Sequence, residues 1–564
     1  MKQGFLIKSW ISFLLIGLWS GSPAWAQVDV TDLPPVSRSY VLTNVTLHPQ
    51  PGESIEGATL VIKDGLISAM GKNVRIPGEA IRLEADSMHV YAGFIDGMSQ
   101  VGQKDPERER GERPQDPGNP PKDRAGIQPQ REVMDLLDLE SSDYGKLRAA
   151  GFTVTQVVPK GGMLPGKGAI ILLAGEDQAD MAVRGSSSMF VQFKGASGRI
   201  YPSNLLGVLA TLKQMYRQAA LAKTHEENYA SNPQGMARPA YDPEIQAMYP
   251  LVNQEMSALV SVSSQKDVYR ALNLQKELGF KLTLAGLEQG AYQVDALKDA
   301  GVPLFLSLDL PDKPEEFEAD TSLSPARQAE QEGLAAKRLE AYEMALKQAA
   351  ALQAADLKFG FATGGTSAKD LVSNLKRLVE ETELTEDQAL AALTTIPADM
   401  LDLSGQMGTL AVGKMANIIV TTEPVFAEKS QTRYVLVDGQ VFEYEAKKKK
   451  KKKSSGEEAL NVAGTWTYMV ESPQGKNGGK IVIQGEPGDY EGTIASERMS
   501  EELELEDIEV DGSQMTFAYT VDAGGRSLEL TVDVEIEGET FEGTISIGSF
   551  GSFPIEGERI EKPD

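Results

Sequence analysis

The stretch "KDVYRALNLQKELGFKLTLAGLEQGAYQVDALKDAGVPLFLSL", Lys266–Leu308, carries two hydrophobic rhythms in alternation. Val268, Ala271, Leu274 and Leu278 recur every three to four residues, the spacing of one helix face, and Gly279 supplies a stop. "KLTLAG" then reads as a short apolar strand, "AYQVDALKDAG" as a second helix, and "VPLFLSL" as a second strand. Strands that are apolar throughout need cover on both faces, which helices between them provide.

The same rhythm extends outward. "GFTVTQVVP", "AIILLAG", "ALVSVSS" and "LKFGFATGG" are further buried-strand patterns, in order between Gly151 and Gly365. The expectation is a parallel α/β architecture with enough repeats to close as a barrel. Two segments interrupt it. Gln103–Gln130 is rich in Pro, Gly and charge and reads as an exposed loop over one barrel end. Residues 201–253 read as a helical insertion around "LLGVLATLKQMYRQAALAK".

The flanks are β-rich. "YVLTNVTLHP", "GATLVIKDGLISAMG" and "IRLEADSMHVY" precede the barrel, with Lys63-Asp64-Gly65 as a hairpin turn. "GTLAVGKMANIIVTTE" and "RYVLVDGQVFEYE" follow it. Residues 446–456 read as a linker, because the uninterrupted lysines Lys447–Lys453 repel and extend. A grip on anionic lipid or glycan is the other reading of that run. Residues 457–564 alternate apolar and polar residues between close turns, the pattern of a small antiparallel barrel or sandwich.

Residues 1–26 carry the parts of a signal peptide: Lys2 and Lys8, an apolar run from Ile11 to Trp19, and Ala24-Trp25-Ala26 before Gln27. Cleavage after Ala26 would remove two lysines and no acids, taking the net charge from −27 to −29. Such acidity argues against nucleic acid, whose phosphates require a basic face. No other segment has transmembrane character. With no cysteine, the chain has no disulfide, thiol nucleophile or Cys-ligated metal. The expected address is a bacterial periplasm or the cell exterior.

"LTEDQALAALTTIPADMLDLSGQMGTLAVGKMANIIV", Leu384–Val420, resembles the closing motif of the amidohydrolase superfamily. "TNVTL…IEGATLVIKDGLISAMG…VYAGFIDGM" is similar to the strands that open those enzymes, and "AAGFTVTQVVPKGGMLPGKGAIILLAG" looks like the imidazolonepropionase-like branch. The resemblance implies a distorted (β/α)8 TIM barrel over residues 93–404, flanked by a composite β-sandwich from residues 27–92 and 405–445. It also implies hydrolysis of non-peptide C–N bonds such as cyclic amides by water activated on divalent metal, zinc for example. The family's ligands are two histidines after strand 1, one each after strands 5 and 6, and an aspartate after strand 8.

Carried onto this chain, Asp96 matches the strand-1 motif's aspartate, which is not a ligand. The two histidine positions hold Met98 and Gln100. The strand-5 position falls on Ser261 or Ser263, the strand-6 position on or near Gly286, and the final aspartate on Gly364 or Gly365. Asn417 stands where the closing motif usually has aspartate, a structural position. Only His48, His89 and His225 exist in the chain, the first two in the expected sandwich and the third in the insertion. The expectation is therefore a pseudoenzyme with no metal cofactor.

"SGRIYPSNLLGVLATLKQMYRQA", together with the closing motif, resembles exported bacterial proteins that join a ligand-less amidohydrolase half and a β-domain to a metal-complete half. This implies a separate metal-complete partner chain. Three readings stay open: a supporting subunit of an active amidohydrolase; a hydrolase with a rebuilt site; and a barrel-mouth binder of a peptide, glycan or small molecule. For a rebuilt site, Asp96, Gln100, Lys160, Lys167, Asp309 and Asp312 are the candidates near strand ends. For a binder, the glycines of "PKGGMLPGKG" are candidates to wrap an anion with backbone N–H groups.

Overall fold

The structure is a computed structural model. It describes residues 39–444 apart from 105–113, 115, 176, 315–316, 318–323 and 365, and residues 461–561 apart from 473–474, 487–488, 497–501, 512, 523–526 and 548–550. The signal-peptide and Lys447–Lys453 expectations lie outside the described residues. The chain forms two compact units, residues 1–447 and 448–564.

The first unit holds an eight-stranded sheet: β1 (Phe94–Ser99), β2 (Phe152–Val157), β3 (Gly166–Leu172), β4 (Ala182–Gln192), β5 (Ser257–Ser261), β6 (Leu282–Leu287), β7 (Leu304–Ser307) and β8 (Gly360–Ala362). Neighbours in sequence are neighbours in the sheet. A parallel bridge between Ser99 and Gly364 brings the first strand to the last and closes the barrel. All six residues of β1 and of β2 are buried, as strands covered on both faces must be.

One strand departs from the parallel expectation. β3 runs antiparallel to both β2 and β4, so β2–β3–β4 is a meander inside an otherwise parallel barrel. Only residues 158–165 join β2 to β3, too short for the crossover of a dozen or more residues that a parallel pair needs. The insertion carries a helix at Leu205–Ser231, capped by the Asn204 side chain accepting from Gly207 N, and two short helices before β5.

Both ends of this unit build a second eight-stranded sheet, the composite sandwich. His89–Ala92 pairs antiparallel with Ile418–Thr421, placing His89 opposite Thr421. The sheet wraps a core that includes Leu42, Val45, Leu60, Ile62, Val90 and Ile418, each fully buried. The Lys63-Asp64-Gly65 turn works because Asp64 and Gly65 both have positive φ, 50° and 78°, matching the twist of the flanking strands. A Cβ at Gly65 would also stand 2.7 Å from the Asp438 carboxylate.

The second unit is a nine-stranded, wholly antiparallel sheet around Trp466, Phe517 and Phe541. The Arg559 guanidinium lies 4.3 Å from the Trp466 ring centre, a cation–π contact over a fully buried indole. Among the described residues, no helix is long and apolar enough to cross a membrane.

Candidate functional site

β1 delivers Asp96 into the barrel wall, where it is wholly buried. Its Oδ1 accepts from Met98 N (3.2 Å) and Thr363 N (2.8 Å), and its Oδ2 accepts from Thr155 Oγ1 (2.7 Å) and Thr363 Oγ1 (2.9 Å). Burial pushes its carboxyl above the usual range, against the pull of the four donors. Those donors come from β1, β2 and the end of β8, so Asp96 ties the barrel's closing seam. A carboxylate so engaged is a structural acceptor with no lone pair aimed at the mouth.

Positions that the resemblance assigned to metal ligands converge just above it. Gly364 N donates to Met98 O at 3.0 Å. A Cβ at Gly286, which has φ +75°, would stand 3.3 Å from Met98 Cε and 3.9 Å from Ser261 Oγ. Strands β1, β5 and β6 thus present a thioether, a hydroxyl and a bare backbone to one another. Met98 is nearly buried and packs into the inner barrel core. Gln100 is half-buried, while Ser263 is exposed and lends its carbonyl to Glu288 N and Gln289 N. Gly365 lies outside the described residues.

This donor set does not suit zinc. Zinc sites use imidazole, thiolate or carboxylate, whereas the side chains here are a thioether, an amide and hydroxyls. Among the described residues, no three His, Cys, Asp or Glu side chains gather where they could hold a metal.

Two of the three histidines meet elsewhere. His48 Nε2 and His89 Nδ1 are 3.1 Å apart in the sandwich, with ring centres at 5.4 Å. The centre separation is close to the nitrogen gap plus the two ring radii, so the rings meet head to head. That is the geometry of a shared proton, since two imidazoles chelating one ion would bend toward it. His48 also stacks on Tyr91 at 4.2 Å.

Burial, then the neighbouring His89, pulls the His48 pKa down to about 4. An unfolded His48 takes up its proton near pH 6.5, so the unfolded state binds more protons between pH 6.5 and about 4. Stability is therefore complete above that window and falls as the pH drops through it. For this half-exposed group the loss is about 1–2 kcal/mol after solvent screening. Urea midpoints across pH 7 to 4.5 measure it, and His48→Gln should flatten the slope; an unchanged slope would contradict the assignment.

The rebuilt-site candidates scatter. Lys167 pairs with Glu132 at 2.7 Å, and Glu132 also accepts from Ser186. Lys160 N donates to Gln103 Oε1. The glycine loop is committed to packing: a Cβ at Gly126 would stand 2.8 Å from Gly162 Cα, and the Gly161 and Gly162 carbonyls accept from Gln192.

Asp309 and Asp312, following β7, instead line a cleft of about 1670 Å³ with Glu288 and Gln289, which follow β6. Its far wall is the helix Pro325–Ala354. Burial, and then the charge of Asp309, raises the Glu288 carboxyl above its usual value. Sequence reading missed this cleft, and missed Thr155 and Thr363. A threonine in an apolar strand looks like any β-former; the β1–β2 pairing sets Thr155 beside Asp96, and only the closed seam brings Thr363 there.

The model of the Amidohydrolase family matches residues 290–442. A crystal structure of an amidohydrolase from Thermotoga maritima superposes with a TM-score of 0.58 at 17% identity, over 72% of this chain and all of that one. A prolidase crystallised with N-methylphosphonate-L-proline gives 0.41 at 15% identity, over 72% and 100% of the two chains. Ochratoxinase from A. niger gives 0.40 at 15%, over 72% and 96%. No curated protein sequence matches the chain.

Proposed function

We propose, from a fold similar to that of the Thermotoga maritima amidohydrolase and the family match over residues 290–442, that this chain is a non-catalytic amidohydrolase-like protein, exported to the bacterial envelope, that supports a metal-complete amidohydrolase chain. The observation that carries this reading is the convergence of Met98, Ser261, Gly286 and Gly364 at one place. Side-chain imidazole and carboxylate donors are missing from all four, yet the backbone there stays closed and packed. A TIM barrel can lose its chemistry this way because stability resides in the filled interior and catalysis in the loop ends.

The test is metal content. Full-length protein is incubated with zinc or manganese, freed of unbound ion and assayed for bound metal. The expected result is far less than one ion per chain. One tightly held ion per chain, lost on Met98→Ala, would overturn the reading. The partner role predicts that a histidine-complete amidohydrolase co-purifies with this chain from the native envelope; its absence there would count against that role.

A further inference from the structure

The cleft beside the degenerate mouth has its own chemistry, independent of whether the barrel holds metal. Among the described residues, four carboxylates line it, Glu288, Asp309, Asp312 and Glu332, against two cations, Lys313 and Arg338, an excess of two negative charges (4 − 2). Between them sit three large apolar side chains left open to solvent: Tyr292 at 43%, Phe317 at 39% and Leu339 at 44% exposure. Scattered exposed apolar residues need no explanation, but three converging on one concave surface mark an interaction site.

The wall is unusual as well. Residues 326–341 of the helix Pro325–Ala354 are all exposed or half-exposed, whereas its later part buries Tyr342, Leu346, Ala349 and Leu352. Helices in folded proteins owe most of their stability to packing. Here a helix half offers Ala335, Ala336 and Leu339 to an open cleft. Small residues on that face leave room for a chain to lie along it.

We infer that this cleft binds a short peptide segment in which Lys or Arg alternates with apolar residues. The cations meet Asp309, Asp312 and Glu288, and can stack on the open Tyr292 and Phe317 rings. The apolar residues lie against Leu339 and the alanine face. A cation placed near Glu288 and Asp309 also relieves their mutual repulsion. The volume is above the range of about 300–1,000 Å³ typical of small-molecule pockets, which favours a peptide.

The experiment uses the full-length protein and a fluorescein-labelled hexapeptide, Lys-Leu-Lys-Leu-Lys-Leu, with its Glu-for-Lys counterpart as control. Fluorescence anisotropy should show saturable binding of the cationic peptide alone. The double variant Asp309→Asn, Asp312→Asn should weaken it at least tenfold. Because the whole chain is acidic, a neutral blocking variant separates this cleft from the general surface: Ala336→Trp fills the cleft without changing charge and should also weaken binding at least tenfold. Far-UV circular dichroism confirms that both variants stay folded. No binding, equal binding of the acidic peptide, or affinity unchanged by Ala336→Trp would each overturn the inference.

Discussion

Asp96→Ala should cost about 3–5 kcal/mol of stability, among the larger losses expected of any single substitution in this chain. The side chain collects four hydrogen bonds in a fully buried position. Its removal leaves the Met98 and Thr363 amides without acceptors, and a buried orphan amide loses its full desolvation cost. The two threonine hydroxyls can rotate toward other acceptors, so they add less. Asp96→Asn keeps one acceptor oxygen, and its amide can donate to a threonine hydroxyl, so about 1–2 kcal/mol is expected. Urea unfolding followed by fluorescence compares the two. If Asp96→Ala costs under about 1 kcal/mol, the seam role assigned to this residue is wrong.

Phe305→Ala should be comparably damaging, at about 3–5 kcal/mol, because a fully buried ring on β7 leaves a cavity in the barrel interior. Its neighbours are shaped for it. A Cβ at Gly97 would fall inside the ring's van der Waals envelope, and one at Gly360 would stand 2.8 Å from it. Gly97→Ala in the native background therefore overpacks the core and should cost about 1–3 kcal/mol. In the Phe305→Ala background the same substitution should cost almost nothing, since the methyl enters the vacated space. That non-additivity of about 1 kcal/mol or more identifies a direct contact. Strict additivity would show that the ring and the glycines do not share one space.

What the sequence made legible followed from local pattern plus the motifs at the two ends. "VYAGFIDG" and "ANIIVTTE" lie more than three hundred residues apart, yet their strands pair as the resemblance implies. Strand positions in the barrel were readable because continuous apolar runs admit few other uses. Strand direction was not. "AIILLAG" has the same composition whether it runs up or down, and the deciding clue lay in the short loop before it. The helix wall of the cleft escaped notice because its Ala- and Glu-rich first half has no strong apolar stripe. The role of Asp96 was half-legible: the motif located the residue, while its partners arrive from β2 and the end of β8, out of reach of local reading.

The seam that Asp96 closes also constrains how the chain reaches its native state. Asp96 bonds Thr363 across 267 positions of sequence, and His89–Ala92 waits for Ile418–Thr421. Contacts of such separation demand large loop closures before they stabilise anything. A ribosome that has released β1 through β7 has therefore made a barrel wall whose edges are still open. Commitment to the fold falls to the last fifth of the first unit. Until Thr363 emerges β1 has an unpaired edge, and until Ile418 emerges so does His89–Ala92, and the nascent chain is at its most vulnerable to aggregation during that interval.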